Sequence, residues 1–156
     1  MAFVSGHTPP TGCFLCEKGR GSPEGDEKDL VLARGVAAYA LLNAFPYNTG
    51  HVMVAPYRHA GDLADLTGEE LAELWHWVKS VIAAHRDTSR PDGFNVGINL
   101  GEAAGAGTPG HLHVHVVPRW GGDTNFMPVI ADAKVLPEML SETWRRLCPA
   151  IQEATG

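Results

Sequence analysis

The chain has 156 residues, which suits one domain with its own core better than two. It is 44% hydrophobic and 19% charged, ordinary for a globular protein, and its net charge of −6 argues against broad DNA or RNA binding but not against a small anion. No apolar run approaches the roughly 20 residues of a membrane span, and no signal peptide opens the chain, so we expect a cytoplasmic protein without a membrane partner.

The first 12 residues lack periodicity and read as a loose arm. Cys13 and Cys16 follow at a spacing that can grip one metal ion in a turn, although the same spacing also occurs in redox motifs and by chance. A thioredoxin-like motif needs a strand before it and a helix after it. Residues 17–28 are instead rich in Gly, Pro and charge, which predicts loop or disorder and favours a metal, provided that histidines complete the set.

The cysteine count points to a reducing compartment. Three cysteines with one close pair do not suggest a disulfide framework, and Cys148 is expected to be a small packing residue.

Two mostly apolar stretches, residues 29–33 and 37–42, predict strands joined by Arg34-Gly35. Residues 43–50 contain the Asn, Pro and Gly of a turn, and residues 51–56 form the next strand, which Pro56 ends. Residues 57–59 leave this strand as a loop.

A capping box of Thr67 and Glu70 predicts the start of a helix that runs to about His85. Its apolar stripe has helical spacing and comprises Leu71, Leu74, Trp75, Val78, Val81 and Ile82. We expect Trp75 and Trp77 to pack and His76 and His85 to be solvated.

The remaining chain predicts a strand over 93–100, a Gly/Ala-rich loop over 101–110, a turn over 120–125 and a helix over 136–154. Pro149 is expected to kink or end that helix. No repeat or linker divides the chain. We assign one domain: an N-terminal arm and loop (1–28), a core (29–125) and a C-terminal extension with a helix (126–156).

Residues 110–119 alternate histidine with apolar residues. In a strand His111, His113 and His115 project from one face and Leu112, Val114 and Val116 from the other. Each buried ring nitrogen without a partner costs about 1–3 kcal/mol, so three imidazoles make a poor core. The alternatives are a chemical site and a solvated histidine face on an edge strand.

A Gly-rich loop beside histidines suits chemistry at phosphorus, because backbone N–H groups can approach the phosphoryl oxygens without obstruction. A neutral imidazole attacks with one nitrogen while the other donates to a carbonyl group, and a neighbouring histidine can protonate the leaving phosphate.

The run from His111 to Val117 matches the signature of the histidine triad family of nucleotide hydrolases and transferases. The resemblance covers roughly Val31–Arg119, including Asn43–His51, Val52–Pro56 and Asn99–Gly101. The continuation over 117–126 is similar to the actinobacterial branch of diadenosine tetraphosphate phosphorylase type. The resemblance implies an α+β fold with an antiparallel sheet of about five strands, one long helix and a C-terminal helix, and it implies a homodimer.

By position, the resemblance makes His113 the nucleophile, brings His115 to the phosphate and places His51 beside them. It brings Asn43 to the ribose hydroxyls, and Asn99 with the loop from Gly101 to the phosphate. The family often has Gln or Ser where this chain has Gly107, so that contact falls to Thr108 or to the backbone.

Related proteins bind zinc through positions that match Cys13, Cys16, His59 and His111. Two thiolates and two imidazoles form a closed tetrahedral shell, so the resemblance implies a structural zinc and no organic cofactor.

The triad alone leaves the acceptor open: water gives a hydrolase, phosphate a phosphorylase, and an amine leaving group a phosphoramidase. Dinucleoside polyphosphates with phosphate as acceptor are narrowly favoured. A nucleotide-binding module without turnover and a purely structural zinc protein are the other classes.

Overall fold

The computed structural model describes residues 12–105, 107–108, 110–123 and 138–155. Its helices and strands, in chain order, are α1 (Phe14–Arg20), α2 (Asp26–Asp29), β1 (Val31–Arg34), β2 (Ala38–Leu42), β3 (Val52–Pro56), α3 (Gly68–Thr88), β4 (Gly93–Ile98), β5 (Val114–Arg119) and α4 (Leu140–Ala154). The predicted α+β fold, with five antiparallel strands, one long helix and a C-terminal helix, is confirmed.

The sheet has the strand order β1-β2-β3-β5-β4, which places β5 between two neighbours. His115 on β5 lies opposite Met53 of β3 on one side and Gly97 of β4 on the other. The three histidines are at most 9% exposed. The alternative of a solvated histidine face on an edge strand is therefore wrong.

The two faces of the sheet carry different layers. One face packs under α3 and α4 and contains Leu112, Val114 and Val116 with the fully buried Leu147 and Ile151. On the other face, Tyr39, Leu41, Met53 and Ala55 pack against Cys13, Leu15 and Cys16. The alternation read from the sequence therefore holds on β5, and the N-terminal segment covers part of the histidine face.

The N-terminal segment is more ordered than predicted, because residues 17–28 contain most of α1, a 3-10 turn and α2 rather than a loop. Arg34 at the end of β1 explains this order. Its guanidinium group donates to the carbonyl oxygens of Lys18 and Gly19 at 3.0 and 2.9 Å and pairs with Asp26 at 2.7 Å. Hydrogen bonds from Arg34 therefore order a segment whose own composition predicts a loop.

The capping box of α3 is present, with Thr67 accepting from the backbone N–H of Glu70. Trp77 is 8% exposed and packs as predicted, whereas Trp75 is 50% exposed because it lies off the buried stripe. The prediction for His85 is wrong: its side chain is fully buried, while His76 is exposed as expected.

Other element boundaries differ from the predictions. The first strand starts at Val31 because Asp29 ends α2 and Leu30 has φ +62°. The histidine strand starts only at Val114. Helix α4 continues through Pro149, which lies on the exposed side of the helix, so the prediction that it ends the helix is wrong.

Some predicted segments fall outside the described residues: the arm up to residue 11, the turn beyond Asp123 and the helix start at Leu136. Within the described ranges, none of the helices combines the length and the apolar character that a membrane crossing requires.

Candidate functional site

His113 lies in the extended segment immediately before β5 and is 6% exposed. Its Nδ1 is 2.9 Å from the carbonyl oxygen of His111. Because a carbonyl can only accept, Nδ1 carries the proton, and in the neutral ring Nε2 keeps its lone pair. This hydrogen-bonding pattern is the one that a histidine nucleophile requires.

His51 and His115 form a pair whose tautomers are fixed by their neighbours. The backbone N–H of Tyr47 donates to Nδ1 of His51 at 3.1 Å, so the proton of His51 is on Nε2. That nitrogen is 2.9 Å from Nδ1 of His115 and donates to it. Nε2 of neutral His115 therefore carries a proton, and the ring centroid lies 4.7 Å from that of His113.

The charge state of His115 follows from its surroundings. Burial, with a smaller contribution from the nearby His113, lowers the pKa of His115 from 6.5 to about 4. At neutral pH the ring is uncharged and offers a hydrogen bond rather than a mobile proton.

An open pocket of about 190 Å³ lies beside His115. It is lined by Tyr47, Asn95, Val96, Gly97, Asn99, His115 and Val117. Gly97 pairs with His115 in the sheet, so the strand alternation brings Asn95 and Asn99 to the histidine face. The pocket therefore combines amide groups with an imidazole donor.

Sequence reasoning missed most of this lining, including the polar side chains of Asn95 and Tyr47. Asn95 is held by Arg119, whose Nη1 donates to its Oδ1 at 2.8 Å, and its signal was the period-two spacing from Asn99. The Tyr47 ring lies 4.7 Å from His51 and 5.6 Å from His115. No sequence signal beyond its place in the turn distinguished Tyr47.

Of the other predicted nucleotide contacts, Asn43 lies beside His51, whereas the three loop residues lie outside the pocket. Nδ2 of Asn43 is 3.4 Å from Nδ1 of His51, so Asn43 is at the histidine pair. Gly101 and Gly107 are exposed, and Thr108 is partly exposed. In the described part of the chain, these three residues do not line the pocket.

The four predicted metal ligands come together in one cluster. The sulfur and nitrogen atoms of Cys13, Cys16, His59 and His111 all lie within 4.8 Å of one another. Nδ1 of His111 is 3.3 Å from both sulfurs. Its Nε2 donates to the carbonyl of Pro56 at 2.9 Å, so Nδ1 has the lone pair that a metal ligand needs. Tetrahedral zinc, with Zn–S near 2.3 Å and Zn–N near 2.0 Å, requires sulfur-to-nitrogen distances of about 3.5 Å. The donor set therefore fits zinc.

Burial acts in opposite directions on the imidazole and thiol groups of the cluster. It lowers the pKa of His111 to about 4, which keeps the imidazole neutral as a ligand must be. Burial, followed by the neighbouring Cys13, raises the pKa of Cys16 to about 11. That thiol therefore stays protonated until a cation displaces its proton.

Comparisons with known proteins show which family this chain resembles. The model of the HIT domain family matches residues 24–122. The AP-4-A phosphorylase of Mycobacterium tuberculosis is 54% identical over 122 residues, which are 78% of this chain and 63% of that protein. This chain thus spans less than two thirds of that relative.

More distant relatives match by sequence or by structure. The bifunctional bis(5'-adenosyl)-triphosphatase/adenylylsulfatase of Arabidopsis thaliana is 32% identical over 82% of this chain and 73% of its own length. A Zn-bound histidine triad family protein from Mycobacterium smegmatis superposes with a TM-score of 0.70 at 27% identity, covering 91% of this chain and 94% of its own.

Proposed function

This chain belongs to the HIT domain family, and from that membership and the histidine geometry we propose that it cleaves a phosphoanhydride bond of a dinucleoside polyphosphate through a covalent nucleotidyl-histidine. The observation that carries the proposal is the 2.9 Å hydrogen bond from Nδ1 of His113 to the carbonyl of His111. It leaves the Nε2 lone pair of His113 as the nucleophile.

In the first step this lone pair attacks the α-phosphorus of diadenosine tetraphosphate. The bond from that phosphorus to the bridging oxygen breaks, and ATP leaves with the electron pair. In the second step inorganic phosphate attacks the same phosphorus, the N–P bond breaks, and ADP leaves. Two displacements at one centre replace a single difficult one.

The neighbouring side chains stabilise the charge that develops. Nε2–H of His115 donates to a phosphoryl oxygen, and His51 holds the His115 ring in that orientation. Asn99 lines the pocket and approaches the phosphate. The described loop residues Gly101, Gly107 and Thr108 do not line this pocket, and their proposed contact with the phosphate rests on the family resemblance alone. Asn43, beside His51, approaches the ribose.

Phosphate is the proposed acceptor because the Mycobacterium tuberculosis relative at 54% identity is an AP-4-A phosphorylase. Two relatives named as triphosphatases are only 32% and 35% identical. Products distinguish the acceptors: phosphate gives ADP and ATP, whereas water gives AMP and ATP. A phosphoramidase would instead release an amine from a nucleoside phosphoramidate.

We also propose a structural zinc at Cys13, Cys16, His59 and His111, supported by the interatomic distances in the cluster. Bound there, the ion ties the N-terminal segment to the residue whose carbonyl holds His113. Family resemblance further supports a homodimer, and the three cysteines with one close pair favour a reducing compartment such as the cytoplasm. Among the described strands β4 is an outer one, with Val96 39% exposed, and such an edge can form contacts between subunits.

The test incubates the purified protein with diadenosine tetraphosphate, with and without inorganic phosphate, and separates the nucleotides by chromatography. We expect ADP only when phosphate is present, and an acid-labile adenylyl adduct on His113 after rapid quenching. His113→Asn should still bind the dinucleotide but form no product, whereas the exposed control His76→Asn should match the wild type. Full turnover by His113→Asn refutes the mechanism, and binding without turnover by the wild type indicates a binding module.

A further inference from the structure

His85, near the C-terminal end of α3, is a fully buried histidine that the proposed mechanism does not use. Its Nε2 is 2.9 Å from the carbonyl oxygen of Gly50, and its Nδ1 is 3.3 Å from Oγ of Ser89. The carbonyl only accepts, so Nε2 donates and Nδ1 accepts from the hydroxyl. The ring is therefore fixed in one tautomer by two partners.

The contact with Gly50 is close as well as polar. Gly50 has φ +80°, and a Cβ at this position would lie 2.5 Å from Cε1 of His85. The imidazole thus packs directly against the main chain of the residue before His51. On its own side His51 is held by two backbone hydrogen bonds: its N–H donates to Asn48, and its carbonyl accepts from Asn43.

The far end of this hydrogen-bond chain is on α4. Arg146 donates from Nη1 to Oγ of Ser89, and its guanidinium group pairs with Glu138. The hydrogen bonds therefore run in one direction: Arg146 donates to Ser89, Ser89 donates to His85, and His85 donates to the carbonyl of Gly50. Arg146 lies outside residues 24–122, which the family model matches, so this support comes from a helix beyond the matched segment.

We propose that His85, oriented by Ser89 and Arg146, is a positioning residue for His51. It fixes the main chain at Gly50 so that Nε2 of His51 stays 2.9 Å from Nδ1 of His115 and sets the tautomer of that ring. The inference rests on the proposed function for its effect on turnover, but its effect on the histidine pair is measurable without any substrate.

The experiment compares His85→Leu, which removes the donor, with His85→Gln, whose amide N–H can reach the same carbonyl. Because a misplacement of about 1 Å can cost up to about 100-fold in rate, we expect His85→Leu to lower kcat at least about tenfold. KM should change less than about twofold, since the pocket lining is untouched, and His85→Gln should recover most of kcat. In ¹⁵N spectra the single tautomers of His51 and His115 should become mixtures only in the leucine variant.

A second pair of variants keeps His85 in place. Arg146→Gln should lower kcat and disturb the His115 signal in the same direction. Arg145→Gln, which removes an exposed neighbour paired with Glu27, should change neither. A folded His85→Leu or Arg146→Gln protein with wild-type spectra and kcat overturns the proposal. If the wild type turns over no dinucleotide, the proposed function fails, and the spectra alone still decide the positioning role.

Discussion

Acidification should destabilise this protein in part through His85. Burial is the main cause that lowers the pKa of this imidazole from 6.5 to about 4, with Arg146 adding in the same direction. Between pH 4 and pH 6.5 the His85 imidazole is protonated in the unfolded chain but neutral in the native state. Its contribution to stability is therefore complete above pH 6.5 and is lost as the pH falls toward 4.

The magnitude follows from the two pKa values. One proton changes the free energy of unfolding by at most about 1.4 kcal/mol per pH unit, which integrates to about 2 kcal/mol between pH 7 and pH 5. Urea unfolding followed by tryptophan fluorescence measures this loss. His85→Gln removes the titrating group, so it should lose about 2 kcal/mol less than the wild type over this interval.

The comparison between variants isolates His85. Acid release of a metal from the cysteine cluster affects both proteins equally and cancels in the difference. His76→Gln removes an exposed imidazole from the same helix and should retain the wild-type pH dependence. If the stability of His85→Gln falls with pH as steeply as that of the wild type, the native ring is protonated in this range and the reasoning is refuted.

Three further changes test the metal cluster, the core and a turn anchor. Cys16→Ser should abolish stoichiometric zinc, measured by elemental analysis, and lower the thermal midpoint, whereas Cys148→Ser should retain the metal. Leu147→Ala opens a cavity at a fully buried position and should cost about 3 kcal/mol in urea unfolding; a cost below about 1 kcal/mol would contradict the packing. Glu73 accepts two backbone N–H groups of the β1–β2 turn at 2.6 and 2.7 Å. Glu73→Ala should therefore cost about 2 kcal/mol, while the exposed control Glu69→Ala should stay within about 0.5 kcal/mol.

Features that depend on local periodicity were predictable from the sequence. The alternation around His113 assigned its neighbours Leu112 and Val114 to the face opposite the histidines, where they pack in the core under the helices. The capping box at Thr67 located the start of α3 to the residue. Both are set by residues a few positions apart, so the sequence contains them directly.

Features that depend on distant partners were not predictable in the same way. Order in the N-terminal segment comes from Arg34, which reaches back to Lys18 and Gly19. His85 shows a different failure, because its position four residues after Val81 puts it on the buried stripe while its polarity suggested solvent. Its partner Gly50 lies 35 positions earlier, and without that carbonyl a buried imidazole is unfavourable.

β5 starts later than predicted, and the hydrogen bonds made by the residues before Val114 are those that the proposed chemistry needs. Had the strand begun at His111, that residue's carbonyl would have faced a main-chain N–H of a neighbouring strand. Instead the segment before Val114 leaves the ladder, with the backbone N–H of Leu112 donating to Ala60 at 2.7 Å. The carbonyl of His111 then accepts from Nδ1 of His113, while its own ring turns to the thiols of Cys13 and Cys16. One residue thus orients the nucleophile with its main chain and joins the metal cluster with its side chain, so a displacement of the cluster reaches His113 through a single hydrogen bond.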